Sequence, residues 1–164
     1  MVAQKLKIFI GKSLPDFKVR SLTGVAGSIK RQMKPGRQTL INVWATWCIP
    51  CAKEMPELEA MRKELSGFGI DVLGLNVDVE KIVNVGRYVS ERRVTYPIVL
   101  GGVSAIEQIY ATDELTVPLT ILVDEKGIVR DLISGWSAET QRKFRTLGTK
   151  PGQDAKDSTG TPSN

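Results

Sequence analysis

Short apolar runs alternate with amphipathic stretches along most of this chain. Residues 39–44 form a nearly continuous run of β-branched and aromatic side chains, which is typical of a strand covered on both faces. Residues 70–77 show the same pattern, and we predict a second central parallel strand there. Residues 119–123 and 128–133 are two further apolar runs, separated by a short segment that contains Gly127, so we predict an antiparallel hairpin.

Helical periodicity appears between these predicted strands. The stretch after residue 48 carries an apolar stripe at spacings of three and four residues, formed by Met55, Leu58, Met61 and Leu65. Such a stripe predicts a helix with one face in the core. Residues 78–93 also carry apolar side chains at helical spacing, and shorter helices are predicted at residues 104–110 and 138–147.

The order of these elements predicts an α/β domain with a central mixed β-sheet flanked by helices. An N-terminal β-hairpin extension is predicted at residues 17–29, where a short apolar strand is followed by a glycine-rich turn. Residues 1–147 are expected to form this single domain. Residues 148–164 contain almost nothing that could be buried, and we predict a disordered tail.

Composition narrows the possible functions. The chain has 164 residues, of which 41% are hydrophobic and 25% charged, and its net charge is +5 without any block of like charges. We therefore expect no nucleic-acid partner. The chain has no histidine, which excludes Ser-His and Cys-His nucleophile pairs and histidine-ligated metals. No apolar stretch is long enough to span a bilayer, and residues 1–10 lack the apolar core of a signal peptide.

The two cysteines of the chain, Cys48 and Cys51, stand at the start of the predicted stripe-bearing helix. The first turn of a helix presents unpaired N–H groups and the positive end of the helix dipole, so a thiolate is favoured there. Cys48 is therefore predicted to be a nucleophile, and Cys51, one turn later, to resolve the mixed disulfide that Cys48 forms. Two cysteines are too few for tetrahedral zinc, and no metal is expected.

Residues 44–56, with the sequence WATWCIPCAKEMP, and residues 117–124, with the sequence VPLTILVD, carry a family likeness. With them the chain resembles the TlpA/ResA-like thiol-disulfide oxidoreductases of the thioredoxin superfamily, from residue 11 to about residue 147. The resemblance implies a thioredoxin fold and a protein-disulfide reductase. A redox-active Cys48–Cys51 disulfide would be its redox group, with no added cofactor.

The resemblance also implies roles for individual residues. Cys48 would be the exposed nucleophile, Cys51 the buried resolving thiol, and Glu54 the acidic residue of this subgroup. Pro56 would bend the helix, because proline leaves the carbonyl of Ala52 without a partner. The residues expected to bind substrate are Trp47, Ile49, Pro50, Val117 and Pro118. Pro118 would follow a cis peptide bond and present the backbone of Val117 as a short strand edge.

Position 42 departs from thioredoxin itself. Thioredoxins carry a buried aspartate six residues before the first cysteine, whereas this chain has Asn42, which cannot titrate. The proton of Cys51 must then be handled elsewhere. We hypothesise that Glu54 accepts or donates it, since partial burial beside the thiols would raise its pKa towards a useful range.

Two other functions remain open at this stage. A peroxiredoxin-like peroxidase would share this kind of fold, but it needs a threonine three positions before the cysteine, where this chain has Ala45. A non-catalytic protein that binds or relays Cu(I) through its thiolates would need further soft ligands, and only Met55 is close in sequence.

The resemblance implies partners and a location as well. The partners would be a disulfide-containing protein, such as a cytochrome c or an oxidase assembly factor during its maturation, and an upstream thiol donor, often a membrane protein. A monomer is expected. The family usually works on the extracytoplasmic or periplasmic side of a bacterial membrane, which would require an export signal or anchor outside this sequence. A cytoplasmic location is the alternative.

Overall fold

The computed structural model describes residues 5–80 and 84–147, which build one seven-stranded mixed sheet with four α-helices. The strands are β1 (Lys18–Ser21), β2 (Ala26–Ser28), β3 (Gln38–Trp44), β4 (Ile70–Asn76), β5 (Ile98–Leu100), β6 (Leu119–Val123) and β7 (Val129–Ser134). The helices are α1 (Ile49–Gly67), α2 (Val85–Glu91), α3 (Gly102–Ile109) and α4 (Ala138–Thr146). None of the described helices is both long enough and apolar enough to cross a membrane.

The strand order is β2-β1-β5-β4-β3-β6-β7. Strands β3, β4 and β5 run parallel, while β6 pairs antiparallel with β3 and β7 antiparallel with β6. All residues of β3 from Thr39 to Trp44 are buried, because the strand is covered on both faces. The predicted mixed α/β sheet is confirmed. The N-terminal hairpin belongs to this sheet, since β1 pairs antiparallel with β5.

The prediction of a helix over residues 78–93 is wrong at its start. α2 begins at Val85, and its N-cap Asn84 accepts a hydrogen bond from the backbone N–H of Arg87 at 2.9 Å. Asp78 is not helical, because its carboxylate is bonded to the loop that precedes Cys48. Residues 81–83 of the predicted helix lie outside the described residues.

An N-terminal segment, residues 5–14, joins two distant parts of the fold. The backbone N–H of Lys7 donates to the carbonyl of Ile109 at the end of α3, at 2.8 Å. Further along, the N–H of Leu14 donates to the carbonyl of Gly127 in the turn between β6 and β7, at 2.9 Å. Leu6 and Ile8 of this segment are buried. The predicted tail at residues 148–164 lies outside the described residues.

Candidate active site

The cysteine pair stands where β3 ends and α1 begins. Cys48 is the N-cap of α1, with extended backbone, and its Sγ accepts a hydrogen bond from the N–H of Cys51 at 3.2 Å. Pro50 occupies the first turn, where its missing N–H costs no helical hydrogen bond. Cys48 and Cys51 form a disulfide, and their Cα atoms are 5.3 Å apart. The cysteines thus lie at the carboxyl end of a central parallel strand, where open α/β sheets place their sites.

Both cysteines are buried in this oxidised form. Cys48 is 5% exposed and Cys51 is 1% exposed. The implication that Cys48 is an exposed thiol is therefore wrong for the disulfide, because its sulfur is turned towards Cys51 and receives the N–H of that residue. The order of exposure still favours Cys48 over Cys51 as the sulfur that a partner reaches.

Exposed apolar side chains flank the disulfide. Trp47 is 59% exposed and Ile49 is 72% exposed, on either side of Cys48, and Pro50 is also exposed. The bond between Val117 and Pro118 is cis, as the resemblance implies. Since Leu119 pairs with Val43, Pro118 lies level with the end of β3, at the same edge of the sheet as the cysteines. Val117 is half-buried and Pro118 is buried.

Glu54 lies one turn after Cys51 on α1 and has no exposed surface. Its Oε1 accepts hydrogen bonds from Nδ2 of Asn42 on β3 and from Oγ1 of Thr120 on β6, the latter at 3.4 Å. Burial raises the pKa of Glu54 from its ordinary value of 4.5 to about 8, against the opposing effect of these two hydrogen bonds. The site therefore holds a carboxyl group that can exchange a proton near neutral pH.

Some buried polar atoms of the protein are left without a hydrogen bond, one of them on this carboxyl group. Among the described residues, four buried side-chain atoms have no hydrogen-bond partner: Asn42 Oδ1, Trp44 Nε1, Glu54 Oε2 and Tyr96 OH. Burial, and then the charge of Glu54, raise the pKa of Tyr96 above its usual range. An ionised Glu54 is thus disfavoured by its surroundings except where Asn42 and Thr120 donate to it.

Gly74 makes space for the side chain of Tyr96 on the buried face of the sheet. Gly74 pairs with Asn42 across the sheet, and a Cβ atom at this position would lie 3.2 Å from Cε2 of Tyr96 and 3.3 Å from Nε1 of Trp44. The missing side chain leaves room for Ile98, whose Cδ1 is the atom nearest to that Cβ position, and for both aromatic rings on the face of the sheet that carries Asn42. The indole of Trp44 also stacks on the ring of Tyr88, with 5.4 Å between the ring centroids.

Asp78 holds the loop that leads to Cys48. Its carboxylate accepts hydrogen bonds from the backbone N–H of Thr46 at 2.9 Å, from Oγ1 of Thr46 at 2.7 Å and from Nδ2 of Asn76 at 2.6 Å. The N–H of Asp78 donates in turn to Oδ1 of Asn76 at 3.1 Å. These bonds connect the end of β4 to a residue only two positions before the nucleophile, and so they fix the path of the reactive loop.

The sequence had indicated some of these residues and not others. It singled out five residues that the structure brings to one edge or one face of the sheet: Cys48, Cys51, Glu54, Pro118 and Asn42. Three contributors were missed, namely Thr120, Tyr96 and Asp78. Two of them could have been found from the sequence. Thr120 is a polar residue two positions after Pro118, and Asp78 is a polar residue directly after the predicted strand at residues 70–77, so both fall at the edge of the sheet that carries the cysteines. No three cysteine or acidic side chains among the described residues are grouped as a metal site.

Comparison with known proteins identifies the family. The chain matches the AhpC/TSA family over residues 10–132. It is 33% identical to the thioredoxin-like protein YneN of Bacillus subtilis, over 76% of this chain and 71% of that protein. It is 31% identical to the thiol-disulfide oxidoreductase ResA of Bacillus cereus, over 85% of this chain and 78% of that protein. The chain belongs to the AhpC/TSA family. Within it, the chain groups with the ResA-like thiol-disulfide oxidoreductases.

Solved structures agree on the fold. A DsbE-type thiol:disulfide interchange protein from Chlorobium tepidum superimposes with a TM-score of 0.70, covering 85% of this chain and 95% of that chain at 18% identity. StoA from Bacillus subtilis superimposes with a TM-score of 0.60, covering 81% of this chain and 97% of that chain at 24% identity. The thioredoxin fold implied by the resemblance is confirmed.

Proposed function

We propose that this protein is a dithiol reductase that transfers two electrons to a disulfide of a partner protein. The observation that carries this proposal is the Cys48–Cys51 disulfide at the N-terminus of α1 with the buried carboxyl group of Glu54 one turn further on. This arrangement combines a sulfur that can be attacked or can attack, a second sulfur within bonding distance, and a proton acceptor.

The reaction follows from the chemistry of thiol-disulfide exchange. In the reduced enzyme the thiolate of Cys48 attacks one sulfur of the partner's disulfide, forming a mixed disulfide and releasing the other sulfur as a thiolate, which takes up a proton. Cys51 then loses its proton and attacks Sγ of Cys48. The second partner thiolate leaves and is protonated, and the enzyme retains the Cys48–Cys51 disulfide. An upstream dithiol must reduce this disulfide before the next cycle.

We assign Glu54 as the acceptor of the Cys51 proton. With a pKa of about 8, about one in ten of these groups is ionised at pH 7, and this fraction rises through the range in which thiols are active. Asn42 and Thr120 hold the ionised form by donating to Oε1. Asn42 thus supports proton transfer without titrating itself.

The partner is expected to bind over the exposed apolar side chains Trp47 and Ile49, with Pro50 beside them. The backbone of Val117, before the cis bond to Pro118, would pair with an extended segment of the partner next to the cysteines. Apolar contact and backbone pairing recognise an unfolded or extended chain without demanding a particular sequence. These features suit an enzyme that acts on cysteines of a protein during maturation.

The relatives are named thiol-disulfide oxidoreductases, and the family resemblance implies a role in cytochrome c or oxidase maturation, with a membrane thiol donor upstream. We accordingly propose that the domain, residues 1–147, works as a monomer on the extracytoplasmic side of a bacterial membrane. A reducing enzyme has a distinct task in such an oxidising compartment.

The test of this function is capture of the mixed disulfide. A Cys51→Ser variant is expected to form a stable adduct with a disulfide-containing peptide, because the second attack cannot occur. The adduct is measured by mass spectrometry and should disappear on addition of a reductant. Cys48→Ser is the matched control and should form no adduct. An adduct in neither variant, or in both equally, would contradict the assigned roles. A peroxidase would instead consume hydrogen peroxide at a rate that depends on Cys48.

Proton transfer is tested with Glu54→Gln. The amide fills the same space but cannot accept a proton, so we expect release of the second partner thiol to slow by about tenfold to a hundredfold. The part of the pH dependence of this rate that has its midpoint near pH 8 should also disappear. Stopped-flow measurement of peptide reduction gives both quantities, and Glu57→Gln, an exposed position on the same helix, is the control. Unchanged rates at every pH would remove Glu54 from the mechanism.

A further inference from the structure

A cleft of about 770 Å³ lies beside the active site and takes no part in the chemistry described above. It is formed by the hairpin β1–β2, the residues that follow β2, the end of β5 and the start of α3. Its charged lining consists of Asp16, Lys18, Arg20, Arg31 and Asp78. Its size falls within the range of ligand sites in proteins.

The cleft opens at the same edge of the sheet as the cysteines. Its lining includes Asp78, whose carboxylate holds Thr46, two residues before Cys48. Because Arg20 pairs with Leu100, the last residue of β5, and β1 runs antiparallel to β5, Lys18 lies beyond the carboxyl end of β5. A chain bound across Cys48 can therefore continue into the cleft without crossing the sheet.

The cleft has a net positive charge, because three cationic side chains and two carboxylates line it. Both carboxylates accept hydrogen bonds from groups of the protein itself. Oδ1 of Asp16 accepts from the backbone N–H groups of Phe17 and Lys30, each at 3.1 Å, and Asp78 accepts the three hydrogen bonds described above.

The cations of the cleft are largely uncommitted by comparison. Within the described part of the chain, the side chains of Lys18 and Arg31 make no hydrogen bond or ion pair, and the side chain of Arg20 donates only to the carbonyl of Gly24, at 3.3 Å. The side chains of Lys18 and Arg31 and most N–H groups of the Arg20 guanidinium are therefore free to pair with an anion.

We propose that this basic cleft binds an acidic segment of the protein whose disulfide the enzyme reduces. The proposal rests on the proposed function and names the chemistry of the partner. Carboxylates of aspartate or glutamate would pair with Lys18, Arg31 and Arg20, and this contact would orient the partner's disulfide at Cys48. Complementary charge raises the association rate and selects among partners more than it raises final affinity.

The test compares three synthetic peptides that share one intramolecular disulfide and differ in the attached segment, which is made of glutamates, serines or lysines. The reduced enzyme should reduce the glutamate peptide about tenfold faster than the serine peptide at low ionic strength, and the lysine peptide should be slowest. The advantage should shrink as salt is added. In the Lys18→Glu/Arg31→Glu variant the order should be abolished or inverted.

The matched control is Lys63→Glu/Arg142→Glu, which changes the net charge equally. Both positions are exposed, on the second half of α1 and on α4, away from the cleft. This control should keep the preference for the glutamate peptide. Equal rates for the three peptides in the wild type, or equal loss of the preference in both double variants, would overturn the cleft as the binding site.

Binding of the same peptides with serine in place of cysteine separates the two proposals. Fluorescence anisotropy with the oxidised protein should again favour the glutamate peptide, and Lys18→Glu/Arg31→Glu should abolish this. Acidic preference in binding without any reduction would contradict the proposed function and support the cleft. Reduction of all three peptides at one rate, without preferential binding, would support the function and overturn the cleft.

Discussion

At the scale of single residues, the site is organised around one buried carboxyl group. Glu54 is enclosed by α1, β3 and β6, and its two hydrogen-bond donors share a single oxygen, Oε1. The second oxygen is buried without a partner among the described residues. Removing a carboxylate from water costs several kcal/mol unless hydrogen bonds replace the lost hydration. Glu54 is therefore mostly protonated below about pH 8.

This arrangement predicts how stability depends on pH. The pKa of Glu54 is about 8 in the folded protein and near 4.5 ordinarily, so between these values the folded protein holds a proton that the unfolded chain has lost. The free energy of unfolding therefore decreases as the pH rises through this window, by at most about 1.4 kcal/mol per pH unit. Glu54→Gln removes this contribution, so the variant should gain stability relative to the wild type as the pH rises from 5 to 8.

Urea denaturation of the oxidised proteins at several pH values measures this difference. The exposed Glu57→Gln variant serves as the control and should differ from the wild type by a nearly constant amount. A pH-independent difference between Glu54→Gln and the wild type would show that Glu54 is ionised in the folded protein.

The sequence could predict the residues that bear the chemistry and could not predict their surroundings. Cys48, Cys51 and Glu54 follow from spacing along one helix together with the family resemblance. Thr120 and Tyr96 meet Glu54 only after the sheet has formed, since they come from β6 and from the segment before β5. Periodicity along a chain shows which side chains share a face. It does not show which side chains from distant parts of the sequence fill a space such as the one left by the missing side chain of Gly74.

At the scale of elements, the reactive loop depends on the end of β4. The three donors to the carboxylate of Asp78 all come from the loop or from β4 itself. The helical spacing of apolar residues in 78–93 predicted a helix that starts at Asp78. This spacing cannot show that the carboxylate of Asp78 bonds to the loop after a neighbouring strand. With Asp78 bonded to Thr46, the described residues directly after β4 are not helical, and α2 starts at its own cap, Asn84.

Asp78→Asn tests this positioning role. The amide turns an N–H group towards one of the donors and removes the charge, so we expect a loss of about 2 kcal/mol in the free energy of unfolding. We also expect a fall of more than tenfold in peptide reduction and a shift in the pH profile for alkylation of Cys48, since its place in the helix start is no longer fixed.

The control is Asp124→Asn. Asp124 also accepts three hydrogen bonds, from the N–H groups of Lys126 and Ile128 and from Nε of Arg130, but in the turn between β6 and β7. It should lose comparable stability and keep the reduction rate and the alkylation profile. If both variants lower the rate to the same extent, Asp78 acts on stability alone.

At the scale of the whole molecule, the sheet places two surfaces at one edge. The apolar rim at Trp47 and Ile49 and the basic cleft lined by Lys18 and Arg31 both lie at the carboxyl ends of parallel strands. The alternation of apolar runs and helical stripes predicted the strands of this sheet except β5, which has only three residues. It could not predict that β1 pairs with β5, because strand order depends on contacts between residues far apart in sequence. Because of that pairing, Lys18 and Arg20 of β1 lie at the edge of the sheet that also carries the cysteines.

The N-terminal segment makes the last connection of the fold. The hydrophobic pattern did not indicate it, because its apolar residues are mixed in burial: Leu6 and Ile8 are buried, whereas Phe9 and Ile10 are exposed. Ile8 is 3% exposed and Ile10 is 59% exposed. Ile8→Ala should therefore lower the free energy of unfolding by about 2–5 kcal/mol, while the same substitution at Ile10 should cost well under half of that. Thermal and urea denaturation of the oxidised proteins measure both values.

The segment contacts the end of α3 and the β6–β7 turn rather than the cysteines. Peptide reduction by either variant, measured well below its melting temperature, should accordingly equal that of the wild type. Equal destabilisation by the two substitutions would mean that the segment is not packed as the structure has it. A slower reaction in Ile8→Ala at a temperature where it is fully folded would show instead that the packing of this segment is transmitted through the sheet to the reactive loop.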